Sequence, residues 1–173
     1  STKKTDDKKK FNLMVYDMLS IVMTSFIIIA LVFVFAFRLV GVVGSSMTNT
    51  LQENDWLITM QKDSYERGDI VVITQPNYFD EPIVKRIIAT ENQVVDIYFT
   101  TCNVFVHGKL LNEQYINNEE APIYTNVSEA LKNGITVPDD YIFVMGDNRN
   151  HSSDSREIGC VPENSVIGKV IGT

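Results

Sequence analysis

The sequence predicts a mostly β domain, an antiparallel β-sheet, that follows one N-terminal transmembrane helix. A charge-free apolar segment runs from Met18 to Phe37, and short β-branched runs alternate with turn residues after it. No long amphipathic helical pattern interrupts these runs, which favours antiparallel over parallel strand pairing. The predicted strands are 55–60, 69–74, 83–89, 93–98, a hairpin over 103–110 with its turn at His107-Gly108, and 141–145.

The apolar segment is long enough to cross a membrane as a helix. Its 20 residues rise about 1.5 Å each, which matches a hydrocarbon core of roughly 30 Å. A cleavable signal peptide would have a shorter apolar region, and a buried core helix would have a polar face. Lysines precede the segment and only Arg38 follows it closely, so the N-terminus is expected in the cytoplasm. We therefore predict a basic cytoplasmic tail over 1–12, disordered over 1–10, a transmembrane helix over 13–38 and an extracytoplasmic domain over 39–173.

The charge is divided between these parts. The formal net charge of −7 splits into +3 for residues 1–38 and −10 for the remainder. An acidic domain argues against a nucleic-acid partner, which needs a basic face. Cys102 and Cys160 lack metal-type spacing, so we predict no metal and no cofactor. Whether the two thiols form a disulfide is left open by the sequence.

Two positions could supply a nucleophile and its base. The turn Gly44-Ser45-Ser46 ends a Val-rich segment and could expose a serine hydroxyl, although most turn serines are structural. Lys85 stands inside an apolar strand, and alternation places Lys85 and Arg86 on opposite faces. A solvated outer face is the usual position for such a lysine. Burial would instead lower its pKa and let the amine act as a general base.

A polar cluster over 146–156 directly follows an apolar strand. Its 11 residues exceed the length of a plain hairpin turn, and its acidic and basic side chains are balanced. This composition indicates a buried hydrogen-bonded network, with a solvated turn as the alternative. A calcium loop is disfavoured because the carboxylates lack EF-hand spacing.

These segments together resemble the type I signal peptidases. The matching motifs occur in the family's order over nearly the whole chain: Ser46-Met47 with Thr50-Leu51, Arg67-Gly68-Asp69-Ile70-Val71, Lys85-Arg86, Gly146-Asp147-Asn148-Arg149 and Ser152-x-Asp154-Ser155-Arg156. The resemblance implies a membrane-bound endopeptidase that removes signal peptides after small residues. It also implies the signal peptidase fold with a small cap inserted over 97–135. The implied partners are signal-peptide-bearing exported precursors and membrane lipid.

The resemblance also assigns roles to individual residues. Ser46 would be the nucleophile, its backbone N–H would bind the oxyanion, and Lys85 would be the general base. Ser152 would orient Lys85. The remaining supporting residues would be a structural ion pair and the two residues that brace it, namely Asp154 with Arg156, and Asp147 with Arg149.

Three departures from the family pattern bear on specificity. The family usually has proline at the position of Asn49, and a glycine at the position of Asn92, where asparagine tolerates positive φ. Some members carry a hydroxyl donor where this chain has Gly44. A dedicated substrate set, such as pilin-like surface subunits, is therefore an alternative to general precursor processing.

Three rival interpretations remain at the level of sequence. One is a non-proteolytic accessory factor for pilus or surface-protein assembly, which the intact Ser46 and Lys85 disfavour. Another is a self-cleaving repressor domain, which the transmembrane segment disfavours. The third is a Ser/His triad built on His151 near Asp154; the other histidine, His107, has no acidic neighbour in sequence.

Overall fold

The computed structural model describes residues 2–75, 77–98, 103–116 and 134–173. The chain forms two compact units, Ser1–Phe37 and Arg38–Thr173. Cys102 lies outside the described residues, as does the segment 128–132, for which the sequence predicts a short helix.

The first unit is one long helix, α1, from Thr2 to Ala36. Its segment Lys10–Val34 has the length and composition to cross a membrane. The helix already includes the residues expected to form a basic tail, and the cytoplasmic place of this tail stays a prediction. Once the apolar segment is helical, each added residue needs only helix propagation and no new nucleus. The helix ends at Ala36, two residues before the predicted end of the transmembrane helix, because Phe37 and Arg38 begin a strand.

The second unit contains two β-sheets. The strands of the larger sheet are β1 Phe37–Gly41, β2 Trp56–Met60, β3 Ile70–Ile73, β4 Ile83–Ala89, β9 Tyr141–Met145, β10 Val161–Pro162 and β11 Val166–Gly172. Those of the smaller sheet are β5 Val94–Tyr98, β6 Asn103–Val106, β7 Lys109–Leu110 and β8 Ile135–Thr136.

The strand order is β1-β2-β11-β3-β4-β9-β10 in the larger sheet and β7-β6-β5-β8 in the smaller one. The ladders described from β2 onward are antiparallel, which confirms the predicted fold class.

The smaller sheet overlaps the segment predicted as a cap, and the cap itself stays a prediction. The cap was predicted over 97–135, but β5 begins at Val94 and β8 ends at Thr136. The first residues of β5 pair with β8, so they belong to this sheet and not to the preceding strand. The two sheets share one apolar cluster, in which Val95 and Val104 pack with Ile88 and Phe143 of the larger sheet.

Two predicted turns position the strands of this region. His107 and Gly108 both have positive φ, 51° and 68°, as a tight hairpin turn between β6 and β7 requires. Asn92 has φ 62°, and its side-chain amide donates to Asp139 Oδ1 at 2.8 Å. The expectation that asparagine could replace the family's glycine at this turn is therefore confirmed by the backbone geometry.

Candidate active site

The loop that carries Ser46 is fixed by apolar side chains on both of its sides. Val42, Met47 and Leu51 are buried in one cluster with Leu57 and Val72 of the larger sheet. The N–H groups of residues 50 and 51 donate to the Met47 carbonyl at 3.0 and 2.9 Å. Ser46 itself is half-buried. The burial of its neighbour therefore anchors the loop and leaves the serine hydroxyl at the surface of the core.

Lys85 on β4 contacts this hydroxyl directly. Its Nζ donates a hydrogen bond to Ser46 Oγ at 2.7 Å, and the lysine is 3% exposed. Burial lowers the pKa of Lys85 to about 8. Asp154 opposes this shift, Arg156 adds to it, and Asp147 opposes it. At this pKa roughly a tenth of the amines are neutral at pH 7, against about one in 2,500 for an ordinary lysine.

The loop that follows β9 holds the Ser46 loop by its backbone. Asn148 donates from its backbone N–H to the Ser46 carbonyl and from its side chain to the Ser45 carbonyl, each at 3.0 Å. A Cβ on Gly146 would lie 2.3 Å from Ser152 Oγ and 2.5 Å from the Ser46 carbonyl oxygen. Because real Cβ atoms do not approach this closely, only glycine lets the two loops meet.

Asp154 is the centre of the hydrogen bonds behind Lys85. It is fully buried, and Arg156 binds both of its carboxylate oxygens at 2.8 Å, which is the predicted ion pair. Its Oδ2 also accepts from the Gly146 N–H at 2.9 Å and from Ser152 Oγ at 2.7 Å. Burial acts to raise the pKa of Asp154, but the hydrogen bond and charge of Arg156 outweigh it and hold the pKa below its ordinary value.

Ser152 lies beside these groups without a direct bond to the lysine. In the part of the chain that the structure describes, its hydroxyl donates to Asp154, while Lys85 donates to Ser46. The orientation of Lys85 by Ser152 therefore stays a prediction. The Ser152 hydroxyl instead binds the Asp154 carboxylate, whose negative charge acts to raise the pKa of Lys85.

Asp147 and Arg149 are also buried, but they bind partners outside the 146–156 cluster. Asp147 accepts two bonds from Arg86, Nε to Oδ1 at 2.8 Å and Nη2 to Oδ2 at 2.6 Å. It also accepts from Thr50 Oγ1 at 2.5 Å. Arg149 forms an ion pair with Glu113 and donates from Nε to the Gly146 carbonyl at 3.0 Å. Both residues thus form ion pairs with side chains outside the cluster, and their bracing of the Asp154–Arg156 pair stays a prediction.

Sequence reasoning missed Glu113 and Tyr115 as neighbours of the site. Both follow β7 in a polar, irregular stretch whose pattern gives no signal for burial. Thr50 and Arg86 stood inside the quoted motifs, yet the sequence does not indicate that Asp147 connects them. His151 is exposed, and neither Ser46 nor Asp154 binds it among the hydrogen bonds of the described residues.

Comparison with known proteins decides the family. Residues 15–172 match the model described as signal peptidase, peptidase S26. The chain belongs to the signal peptidase family. The resemblance seen in the motifs is thereby confirmed over most of the chain's length.

Individual signal peptidases give the same result. The chain is 40% identical over 135 residues to a probable signal peptidase I-2 of Synechocystis sp., a match that covers 72% of this chain and 57% of that protein. It is 31% identical over 172 residues to signal peptidase I P of Bacillus subtilis subsp. natto, covering 94% of this chain and 89% of the relative. The chain spans less than two thirds of the length of several of these relatives.

A solved signal peptidase structure shares the fold. The crystal structure of a signal peptidase I from Enterococcus faecalis V583 superposes with a TM-score of 0.51 at 29% identity. The superposition covers 64% of this chain and 99% of that one. The antiparallel fold predicted from the sequence is thus that of a signal peptidase.

Proposed function

We propose that this chain is a membrane-anchored serine endopeptidase that cleaves signal peptides from exported precursors after small residues. The observation that carries the proposal is the 2.7 Å hydrogen bond between Lys85 Nζ and Ser46 Oγ, made by a buried amine of lowered pKa. A base must lie within hydrogen-bond reach of the proton it takes, and it must be neutral to take it. Lys85 meets both conditions near neutral and alkaline pH.

The reaction proposed here has two halves. Neutral Lys85 removes the proton of Ser46 as Oγ attacks the carbonyl carbon of the scissile bond. The resulting oxyanion accepts a hydrogen bond from the Ser46 N–H, which donates to no backbone carbonyl among the described residues. Protonated Lys85 then gives its proton to the departing amine and frees the new N-terminus. In the second half, Lys85 activates a water that hydrolyses the acyl-enzyme ester and restores the serine.

The charges around the amine support this role for Lys85. An isolated carboxylate beside a lysine would favour the charged amine and remove the base. Here Asp154 is compensated by Arg156 at 2.8 Å, and Asp147 by Arg86 at 2.6 Å. Each acidic side chain near Lys85 therefore has a cationic partner of its own, and burial remains the dominant effect on the lysine.

Orientation and substrate are parts of the same proposal. The basic residues before the apolar segment support a cytoplasmic N-terminus and an extracytoplasmic peptidase unit. The family resemblance supports small residues such as alanine at the first and third positions before the cut. Pilin-like subunits are a candidate substrate set, motivated by the departures at Asn49 and Asn92. A purely accessory role finds no support among the relatives, which are named signal peptidases.

The test is cleavage of a membrane-inserted, signal-peptide-bearing precursor by the full chain in detergent or lipid. We expect the wild type to release the mature protein and Ser46→Ala to release none above background. The Ser46→Ala protein should remain folded but unfold at a somewhat lower temperature, because the buried Lys85 amine loses its hydrogen bond to Oγ, at a cost of about 1–3 kcal/mol. Equal cleavage by both proteins would contradict the assignment of Ser46. Profiling a peptide library would test specificity, and tolerance of Phe or Lys at both positions would contradict it.

A further inference from the structure

Two side chains from the irregular segment after the smaller sheet's strand β7 reach the candidate active site from outside the motifs. Glu113 and Tyr115 follow β7. They contact Arg149 and Arg86, respectively. We propose that Glu113 and Tyr115, together called the clasp, are positioning residues that set the geometry of Ser46. The proposal rests on the proposed peptidase function of Ser46 and Lys85.

The first arm of the clasp is a buried ion pair. Arg149 donates from Nη1 to Glu113 Oε2 at 3.2 Å and from Nη2 to Oε1, so the contact is bidentate. The side chains of Arg149 and Glu113 are 2% and 7% exposed. A bidentate contact between a buried guanidinium and a buried carboxylate restricts the guanidinium to one orientation. Glu113 therefore fixes where the Arg149 side chain lies.

That position matters because Arg149 also holds the loop beside Ser46. Its Nε donates to the Gly146 carbonyl at 3.0 Å. The Cα of Gly146 lies against the Ser46 carbonyl oxygen, as the 2.5 Å approach of an added Cβ shows. Two residues later, the Asn148 N–H donates to that same oxygen at 3.0 Å. A shift of Arg149 thus acts on the backbone that touches the nucleophile's own residue.

The second arm of the clasp is aromatic. The guanidinium carbon of Arg86 lies 4.1 Å from the centre of the Tyr115 ring, a cation–π contact. The Tyr115 hydroxyl donates to Glu113 Oε1 at 3.0 Å, which joins the two arms. Burial and the neighbouring carboxylate raise the pKa of Tyr115, so the hydroxyl remains a donor over the working pH range. The Tyr115 ring therefore covers one face of the Arg86 guanidinium and limits its movement in that direction.

Arg86 transmits this restriction to the Ser46 loop. Its guanidinium binds both oxygens of Asp147, and it also donates to the Gly68 carbonyl at 2.9 Å. Asp147 Oδ2 in turn accepts from Thr50 Oγ1, four residues after Ser46. The two arms therefore end on opposite flanks of the same loop, at the Ser46 carbonyl and at Thr50. Mispositioning of a nucleophile by a fraction of an ångström is enough to slow an oriented reaction.

The experiment compares four variants of the full chain, Glu113→Gln, Tyr115→Leu, Tyr115→Phe and a matched control. The control is Tyr98→Leu, because the Tyr98 ring packs on Phe105 at 5.0 Å and makes no cation–π contact with Arg86 in the part of the chain that the structure describes. We expect Glu113→Gln and Tyr115→Leu to lower kcat about tenfold, a loss typical of a misplaced group, with KM within about twofold. Tyr115→Phe keeps the ring on Arg86 and should retain at least about a third of kcat. Tyr98→Leu should match the wild type.

Hydrogen exchange supplies a readout that does not depend on activity. The Asn148 amide, bonded to the Ser46 carbonyl, should exchange at least about fivefold faster in Glu113→Gln and Tyr115→Leu than in Tyr98→Leu. Equal exchange in these variants would overturn the clasp even if their activity fell. The clasp would also be overturned if the loss of kcat in Glu113→Gln and Tyr115→Leu only matched their fraction of unfolded protein. The same holds if kcat fell equally in Tyr98→Leu. Failure of the peptidase proposal is distinct, because it would appear as an inactive wild type or an active Ser46→Ala.

Discussion

Lys85 has a buried amine whose protonation state decides whether it can act as a base. Arginine at this position would keep a similar length and a positive charge, but its guanidinium stays protonated at any working pH. We therefore expect Lys85→Arg to be as inactive as Lys85→Ala in precursor cleavage, with kcat at background in both. His151→Ala should keep most of the wild-type rate, because the exposed imidazole has no bond to Ser46 or Asp154 among those described.

The pH dependence of cleavage distinguishes the same two candidate bases. Burial lowers the pKa of Lys85 to about 8, so the rate should rise about tenfold per pH unit below this value and level off above it. A histidine base would give its midpoint near pH 6.5. An active Lys85→Arg, or a folded but inactive His151→Ala, would exclude the Ser/Lys pair.

Asn49 is a residue whose backbone conformation departs from the family pattern. Its φ is 94°, in a region that proline cannot enter because its ring holds φ near −65°. Restoring the family's proline by Asn49→Pro should therefore lower the free energy of unfolding by about 1–3 kcal/mol. It should also reduce cleavage, since Ser46 lies three residues away in the same loop.

Thermal unfolding and cleavage rates of three proteins check this expectation. Asn49→Gly is the matched variant, since glycine enters positive φ without strain, and it should stay close to the wild type in both measurements. An Asn49→Pro protein with unchanged stability and activity would show that the loop adopts a family-like conformation that this structure does not have.

At the scale of the element, the sequence identifies those strands whose own pattern is distinctive. β2 to β6 and β9 are β-branched runs bounded by turn residues, and each was predicted within one or two residues. β1, β8, β10 and β11 were not predicted. Two of these have only two residues, and β11 contains glycines and Lys169, so their pairing comes from partner strands and not from local propensity.

The same distinction applies to the candidate site. The family motifs contain Ser46, Lys85, Asp154 and Arg156. In the structure Lys85 binds Ser46, and Arg156 binds Asp154. No local pattern could place Glu113 beside Arg149, because their contact joins an irregular segment to a loop 36 residues later. Long-range pairing of charges depends on how the two sheets pack, which periodicity does not encode.

The junction between β9 and the 146–156 loop offers a test at this scale. Gly146→Ala would place a Cβ 2.3 Å from Ser152 Oγ and 2.5 Å from the Ser46 carbonyl oxygen, so one of the two loops must shift. We expect cleavage to fall by at least about a hundredfold, as 1 Å displacements at reacting groups can cause. Gly41→Ala is the control, since a Cβ there has no atom within 4 Å and no positive φ. Similar activity of the two variants would contradict the close packing at Gly146.

At the scale of the whole molecule, burial of the protonated Lys85 amine lowers the free energy of unfolding, and the candidate active site requires this burial. Lys85 has a folded-state pKa of about 8, below the reference value of 10.5 for an exposed lysine. The unfolded chain therefore binds the proton more tightly than the folded one between these two values. The penalty is fully present below pH 8 and disappears as pH rises to about 10.5. A shift of this size corresponds to about 3 kcal/mol at neutral pH.

Lys85→Met should remove this penalty while keeping a side chain of similar length in the core. We expect the Met variant to be inactive and more stable than the wild type at pH 7 by about 2–3 kcal/mol, allowing for the lost bond to Ser46. The difference in stability should shrink as pH rises from 8 to 10. All other titrating groups are common to both proteins, so their pH dependence cancels in this difference. Denaturant unfolding of the two full chains in detergent at pH 7 and pH 10 measures it. A stability difference that is the same at both pH values would mean that the Lys85 amine is not destabilised in its protonated form, and the basis for its role as general base would be lost.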